Sequence, residues 1–222
     1  MSLTRRDFIK GLGIWMASVV ISGCVPHKDK ADTPRDRLRS CWLRLDWLAE
    51  QTQQGNKAKP GEDALKKGEG ARTRLVTDHQ SALDELVAAG DLDQAVAAQV
   101  QTAFGAAAYH IWRSNAPITC YEPMMLDYMP LTSAQLGQQA AILAQGKDLD
   151  PNTVARMQAA IARDIAFLAL TNTDRQTLYS TLIKASQEGQ PIPQFEQLDL
   201  EVSPDAAEAA QFLVDVLWNK AA

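Results

Sequence analysis

Five side chains with soft donor atoms, His110, Cys120, Met124, Met125 and Met129, fall in one stretch where Pro117, Pro123 and Pro130 interrupt helical spacing. An imidazole, a thiol and thioethers are the donors that Cu(I) selects, so copper is the ion this set would hold. Methionine is equally a filler of irregular core gaps, and the blue-copper order of cysteine, then histidine, then methionine is absent. Cys120 also has a competing use, because Cys41 and Cys120 are the only cysteines downstream of Cys24. In an oxidising compartment such a pair usually bridges, and closing so long a loop contributes about 4 kcal/mol in the chain-entropy model. Two unpaired, buried thiols are the alternative.

Other chemistries are excluded by what is missing. The chain has no Cys-x-x-Cys-His, no set of four cysteines, no Gly-x-Gly-x-x-Gly and no phosphate loop. None of its three histidines, His27, His79 and His110, has a glutamate three residues before it, and there is no His-Glu-x-x-His. Both the carboxylate di-iron pattern and the usual zinc hydrolase therefore fail. No catalytic residue is assigned, and a non-enzymatic role is the better reading, with the question of an enzyme left open. No cofactor is expected unless copper occupies the loop.

Around the same loop stand Tyr109, Trp112, Arg113, Tyr121 and Tyr128. Aromatic rings with an arginine are the composition of interface hot spots, and they are also what plugs the end of a helical bundle. Docking of a partner protein is the reading preferred here.

The N-terminal residues address the chain to a compartment. Arg5 and Arg6 precede Asp7, Phe8, Ile9 and Lys10, and an apolar run from Gly11 to Gly23 ends in Ile-Ser-Gly-Cys24. A basic head, a short apolar middle and small residues before a cut define an export signal. Thr4-Arg-Arg-Asp-Phe-Ile-Lys10 resembles the twin-arginine (Tat) signal, with Ile9 where leucine is commoner. Ile21-Ser-Gly-Cys24 is similar to a lipobox. The resemblance implies export by the Tat translocase after folding, cleavage before Cys24 and acylation of that cysteine. Retention of the segment as a membrane span is the alternative, but the run falls short of the roughly 20 apolar residues a span needs.

Each buried methylene of a lipid contributes about 0.8 kcal/mol, so a fully acylated Cys24 would hold the body at the extracytoplasmic face of a bacterial envelope membrane. Inner or outer membrane stays open. Folded export commonly accompanies a cofactor or a cofactor-bearing partner, and this chain lacks most ligands for the first. The expectation is a lipid-anchored accessory protein docked on a membrane-associated complex, with redox complexes favoured by the export route; a small copper-binding lipoprotein is the alternative.

Cleavage would leave 19 basic against 26 acidic side chains, a net charge of −7. A body so acidic is repelled from nucleic acid, which is not an expected partner. Alanine, leucine and glutamine dominate and β-branched alternation is scarce, a helical composition.

Three segments follow: a signal over 1–23, the lipidated cysteine and a polar tether over 24–33 that includes His27, and a body over 34–222. Thr33-Pro34 opens a helix with Leu38, Cys41, Trp42, Leu45 and Leu48 on one face, ending near Gly55. Residues 56–70, rich in glycine and lysine, read as a solvated loop. Helices follow with Val76, His79, Leu83, Leu86 and Val87 inward, then Val96, Val100, Phe104, Ala107 and Ile111, up to the irregular loop over 115–130. Thr132 or Ser133 starts a short helix, and Asp150-Pro151 caps the longest. Thr171 to Asp174 marks a kink or a stop and restart. Residues 190–202 read as an extended crossing, and Ser203-Pro204 opens the last helix. The predicted architecture is all-α, a single bundle of five or six helices.

Overall fold

The computed structural model describes residues 33–58, 62–116, 128–145, 148–191 and 195–218. Every regular element among them is helical: α1 (Pro34–Leu43), α2 (Leu45–Ala58), α3 (Glu62–Ala89), α4 (Gln94–Asn115), α5 (Tyr128–Ala144), α6 (Pro151–Ala169), α7 (Asn172–Gln187) and α8 (Pro204–Trp218), with a 3-10 turn at Phe195–Gln197. The all-α class is as read from the sequence. The number is eight rather than five or six, for two local reasons.

The first is Arg44, which relaxes out of helical geometry between α1 and α2. Its N–H still donates to the Ser40 carbonyl (3.0 Å), and Leu48 N–H donates to the Arg44 carbonyl (3.0 Å), so one expected helix is divided by a single residue. The second is Thr171, whose hydroxyl accepts from Asp174 N–H (3.2 Å) while the Asp174 carboxylate accepts from Thr171 N–H (3.2 Å). That reciprocal cap starts a new helix outright. Thr33 and Asp36 build the same cap on α1, with Pro34 at its first position.

The expected loop over 56–70 is corrected by α3, which begins at Glu62 and runs 28 residues through Gly68 and Gly70. Gly68 is not a breaker here. A β-carbon at that position would lie 3.0 Å from Thr52 Oγ1 and 3.2 Å from Trp112 Cδ1, so the glycine lets α3 approach α2 and α4 closely. Gly90 ends α3 with φ of 77°. There Asp91 N–H reaches back to the Leu86 carbonyl (2.9 Å), a left-handed C-cap that glycine adopts without strain. The irregular loop is shorter than 115–130, since α4 reaches Asn115 and α5 starts at Tyr128. Pro130 is tolerated because it stands in the first turn of α5, where its missing N–H would have had no helical partner.

Helix α4 is the centre. It packs against α2, α3, α5, α6 and α8, and Val100, Ala103, Phe104, Ala107 and Ala108 on it are wholly buried. Its alanines keep the backbone within reach of so many neighbours. A second, smaller core holds Phe167, Leu182, Phe195 and Leu198, with Phe167 and Phe195 edge to face at 5.2 Å. This cluster joins the end of α6 to α7 and to the 3-10 turn. Phe195 is thus the anchor of the segment expected to cross the bundle.

Candidate docking face and core histidine

Tyr109 is 44% exposed on the last turns of α4. Its ring centroid lies 5.6 Å from that of half-buried Trp112, the planes at 50°. Both rings are covered by one cation from α3: the Arg72 guanidinium stands 5.7 Å from the Tyr109 centroid and 5.2 Å from that of Trp112. Arg72 has no carboxylate partner among the described residues. Trp112 Nε1 is buried without an acceptor among them, so this ring is held by packing against Arg72, Tyr109 and the Gly68 notch. Such a cation over an aromatic pair contributes on the order of 1 kcal/mol where it is partly desolvated.

Of the residues expected at this face, Tyr109, Trp112 and Arg113 therefore share the end of α4. Tyr128 is the first residue of α5, and Tyr121 lies outside the described residues. Arg72 was not singled out from the sequence, where it reads as one more charge of a solvated helix. Its position one residue after Ala71 and three before Leu75, both buried, places it on the flank of the inward stripe. That is the available signal.

The soft-ligand set is represented by His110 alone in side-chain detail. Its Nε2 lies 3.5 Å from Ser114 Oγ, and burial holds its pKa below the usual histidine range. Met129 stands in the first turn of α5, while Cys120, Met124 and Met125 lie outside the described residues. Among the described residues no three His, Cys, Asp or Glu side chains converge as a metal site would require. Arg5, Arg6, Phe8 and Cys24 also lie outside them.

Cys41 is buried in α1, with no disulfide partner among the described residues. Burial, with the Asp78 carboxylate second, pushes that thiol up to about 11, so it is neither a nucleophile nor a thiolate ligand at neutral pH. Its expected partner Cys120 is outside the described residues.

The core contains one group that the inward pattern predicted but whose setting it did not. His79 of α3 is fully buried, stacked on Phe104 at 3.9 Å and 4° and met edge-on by Trp42 at 6.2 Å. Gln101 Nε2 donates to the Val76 carbonyl (3.3 Å), which turns Gln101 Oε1 towards His79 Nδ1 at 2.6 Å. The Nδ1 nitrogen therefore carries the proton and donates it. Nε2 is buried without a partner among the described residues. Desolvation lowers the pKa to about 4, against a smaller raising effect of the Gln101 hydrogen bond. Fully buried and uncharged at neutral pH, the ring is a core group.

A second buried ionisable residue, Asp164 of α6, is 2% exposed. It was missed although its spacing from Ile161 and Leu168 puts it on the inward face.

Open recesses mark the surface among the described residues. One of about 370 Å³ lies at the end of the bundle between Arg35, Asp91, Asp93, Glu208 and Asp215, with Phe212 beneath. Another, of about 610 Å³, runs along α3 between Lys66, Lys67, Glu69, Thr73 and Arg74. No described helix is long and apolar enough to cross a membrane. Set against family models, curated proteins and solved structures, the chain matches none of them.

Proposed function

We propose that this chain is a lipid-anchored, extracytoplasmic helical accessory protein that docks on a membrane-associated complex through the end of α4. The observation that carries the reading is Tyr109, a large ring left exposed yet held in place by Trp112 and the Arg72 guanidinium. Tyrosine, tryptophan and arginine dominate binding hot spots because they combine large contact area with few rotamers to freeze. The Tat-like leader and the lipobox ending in Cys24 supply the place, and folded export favours a redox complex as the partner.

The test is co-purification from detergent-solubilised membranes of cells that export the protein by its own leader. A stoichiometric partner, lost in Tyr109→Ala while the helical melt is unchanged, is the expected result. A solitary monomer, or a partner retained by Tyr109→Ala, ends the proposal. Cys24→Ala should leave unprocessed or soluble protein; unchanged processing and membrane attachment would remove the anchor from it.

A further inference from the structure

Helix α5 carries no charged side chain along its 17 residues. Among the described helices only α4, at the centre of the bundle, and α5 expose none, whereas the others show Arg35, Glu50, Asp84, Arg156, Asp174 and Glu208 to solvent. Yet α5 is an outer helix. Leu136, Ala140 and Leu143 make its buried side. Leu131, Ala134, Gln138, Ala141 and Gln145, spaced three and four apart, follow one another along the opposite side, with Gln138 and Ala141 exposed and the other three half-buried. Gln135 and Ile142, also half-buried, flank that line. A surface helix normally puts charged residues on its outer stripe, and 22% of this chain is charged. On α5 that stripe holds amides, alanines and aliphatic side chains instead.

We infer that the outer face of α5 pairs with the same face of a second copy of this chain, the two helices antiparallel about a two-fold axis at Gln138. Charge is the first argument. Copies of net charge −5 repel one another wherever acidic faces meet, and on α5 they meet with no charge to bury. A segment bearing lysine or glutamate would have to shed its water against a face that offers no countercharge. Shape is the second argument, and it selects a second copy. In an antiparallel pair centred on Gln138, Ile142 shares its layer with Ala134 of the other copy, and Gln135 shares its layer with that copy's Ala141. Each bulky side chain then has a methyl group beside it, over a length of about 21 Å between Leu131 and Gln145. The two Gln138 amides meet at the axis, each with donors and an acceptor to offer the other. A parallel pair would set Ile142 against Ile142 and Ala134 against Ala134, crowding one layer and leaving another empty. The antiparallel contact is isologous, the form that closes as a dimer. It uses none of Tyr109, Trp112 or Arg72 and does not depend on the docking role proposed above.

The experiment uses the full-length, detergent-solubilised protein. Sedimentation over a dilution series shows a reversible dimer. Gln138→Lys, which sets two like charges at the axis, weakens that dimer about tenfold or more, whereas Glu208→Gln on α8 leaves it unchanged. Crosslinking reads the same contact without a new charge, should the lysine disturb the fold. A short bismaleimide joins two copies of Gln138→Cys and joins neither the parent protein nor Glu208→Cys. Leu131→Cys and Gln145→Cys proteins, mixed, crosslink to each other more than either does to itself, because those two positions share a layer only when the helices are antiparallel. A monomer at every concentration, a dimer that Gln138→Lys leaves as tight, crosslinking of Leu131→Cys or Gln145→Cys to itself in preference to the mixture, or capture of a different protein by Gln138→Cys in membranes each overturn the inference.

Discussion

The imidazole of His79 lies parallel to the ring of Phe104, centroids 3.9 Å apart, in the centre of the bundle. With its pKa lowered to about 4 in the fold and near 6.5 in the unfolded chain, only the unfolded state takes up a proton between those two values. Stability from this site is therefore complete above about pH 6.5, falls as pH drops towards 4, and changes no further below it. The shift corresponds to roughly 3 kcal/mol at most. Urea titrations at pH 7, 5.5 and 4.5 should show the wild type losing stability across this window faster than His79→Phe; parallel losses would refute it.

The two glycines inside α3 should respond in opposite directions. Nothing lies within 4 Å of a β-carbon at Gly70, so Gly70→Ala stabilises by about 0.5–1 kcal/mol through helix propensity. Gly68 faces Thr52, whose hydroxyl is already committed to the Leu48 carbonyl (2.9 Å), and the edge of Trp112. Gly68→Val overpacks this notch and costs about 2 kcal/mol. Chemical denaturation of both variants checks the pair.

Cys41 should resist alkylation while the protein is folded, because its thiol is buried and its pKa is near 11. Iodoacetamide at pH 8 modifies it only once denaturant is added. Counting thiols in denaturant without reductant also decides whether Cys41 and Cys120 bridge after export: two reactive thiols exclude the bond, and none is the result expected of it.

Removing the ring of Phe195 should loosen one part of the molecule and spare another. Phe195→Ala empties the centre of the small core shared with Phe167, Leu182 and Leu198, a loss of about 3 kcal/mol where such a site cannot collapse. Since α7 meets the body through this cluster, hydrogen exchange should accelerate across 172–187 and stay slow at Val100 to Phe104 of α4. Uniform acceleration would mean that the two cores unfold as one.

The inward faces of the helices were legible because they rest on spacing alone: Leu38, Cys41, Trp42, Leu45 and Leu48 are all buried, as are Val96, Val100, Phe104, Ala107 and Ile111. The caps at Thr33, Gly90 and Asp150 were legible for the same local reason. What escaped depends on partners distant in sequence. Gly68 and Gly70 read as loop formers until Thr52 and Trp112 make a helix there worth keeping. The break at Arg44 carries no glycine or proline to announce it. In the docking face, Tyr109 and Trp112 were chosen by residue type, but Arg72 became part of it only through the packing of α3 on α4.

The alanine-rich side of α4 has a bearing on how such a chain can change over generations. Ala103, Ala107 and Ala108 are wholly buried methyl groups on the helix that packs against five others, so a single added carbon there has to be accommodated by closely packed neighbours. Freedom to vary is then smallest in the plainest stretch of the protein and greatest on its charged exterior, where new binding partners are acquired. Distant kin would be found by their pattern of small residues sooner than by any reactive group.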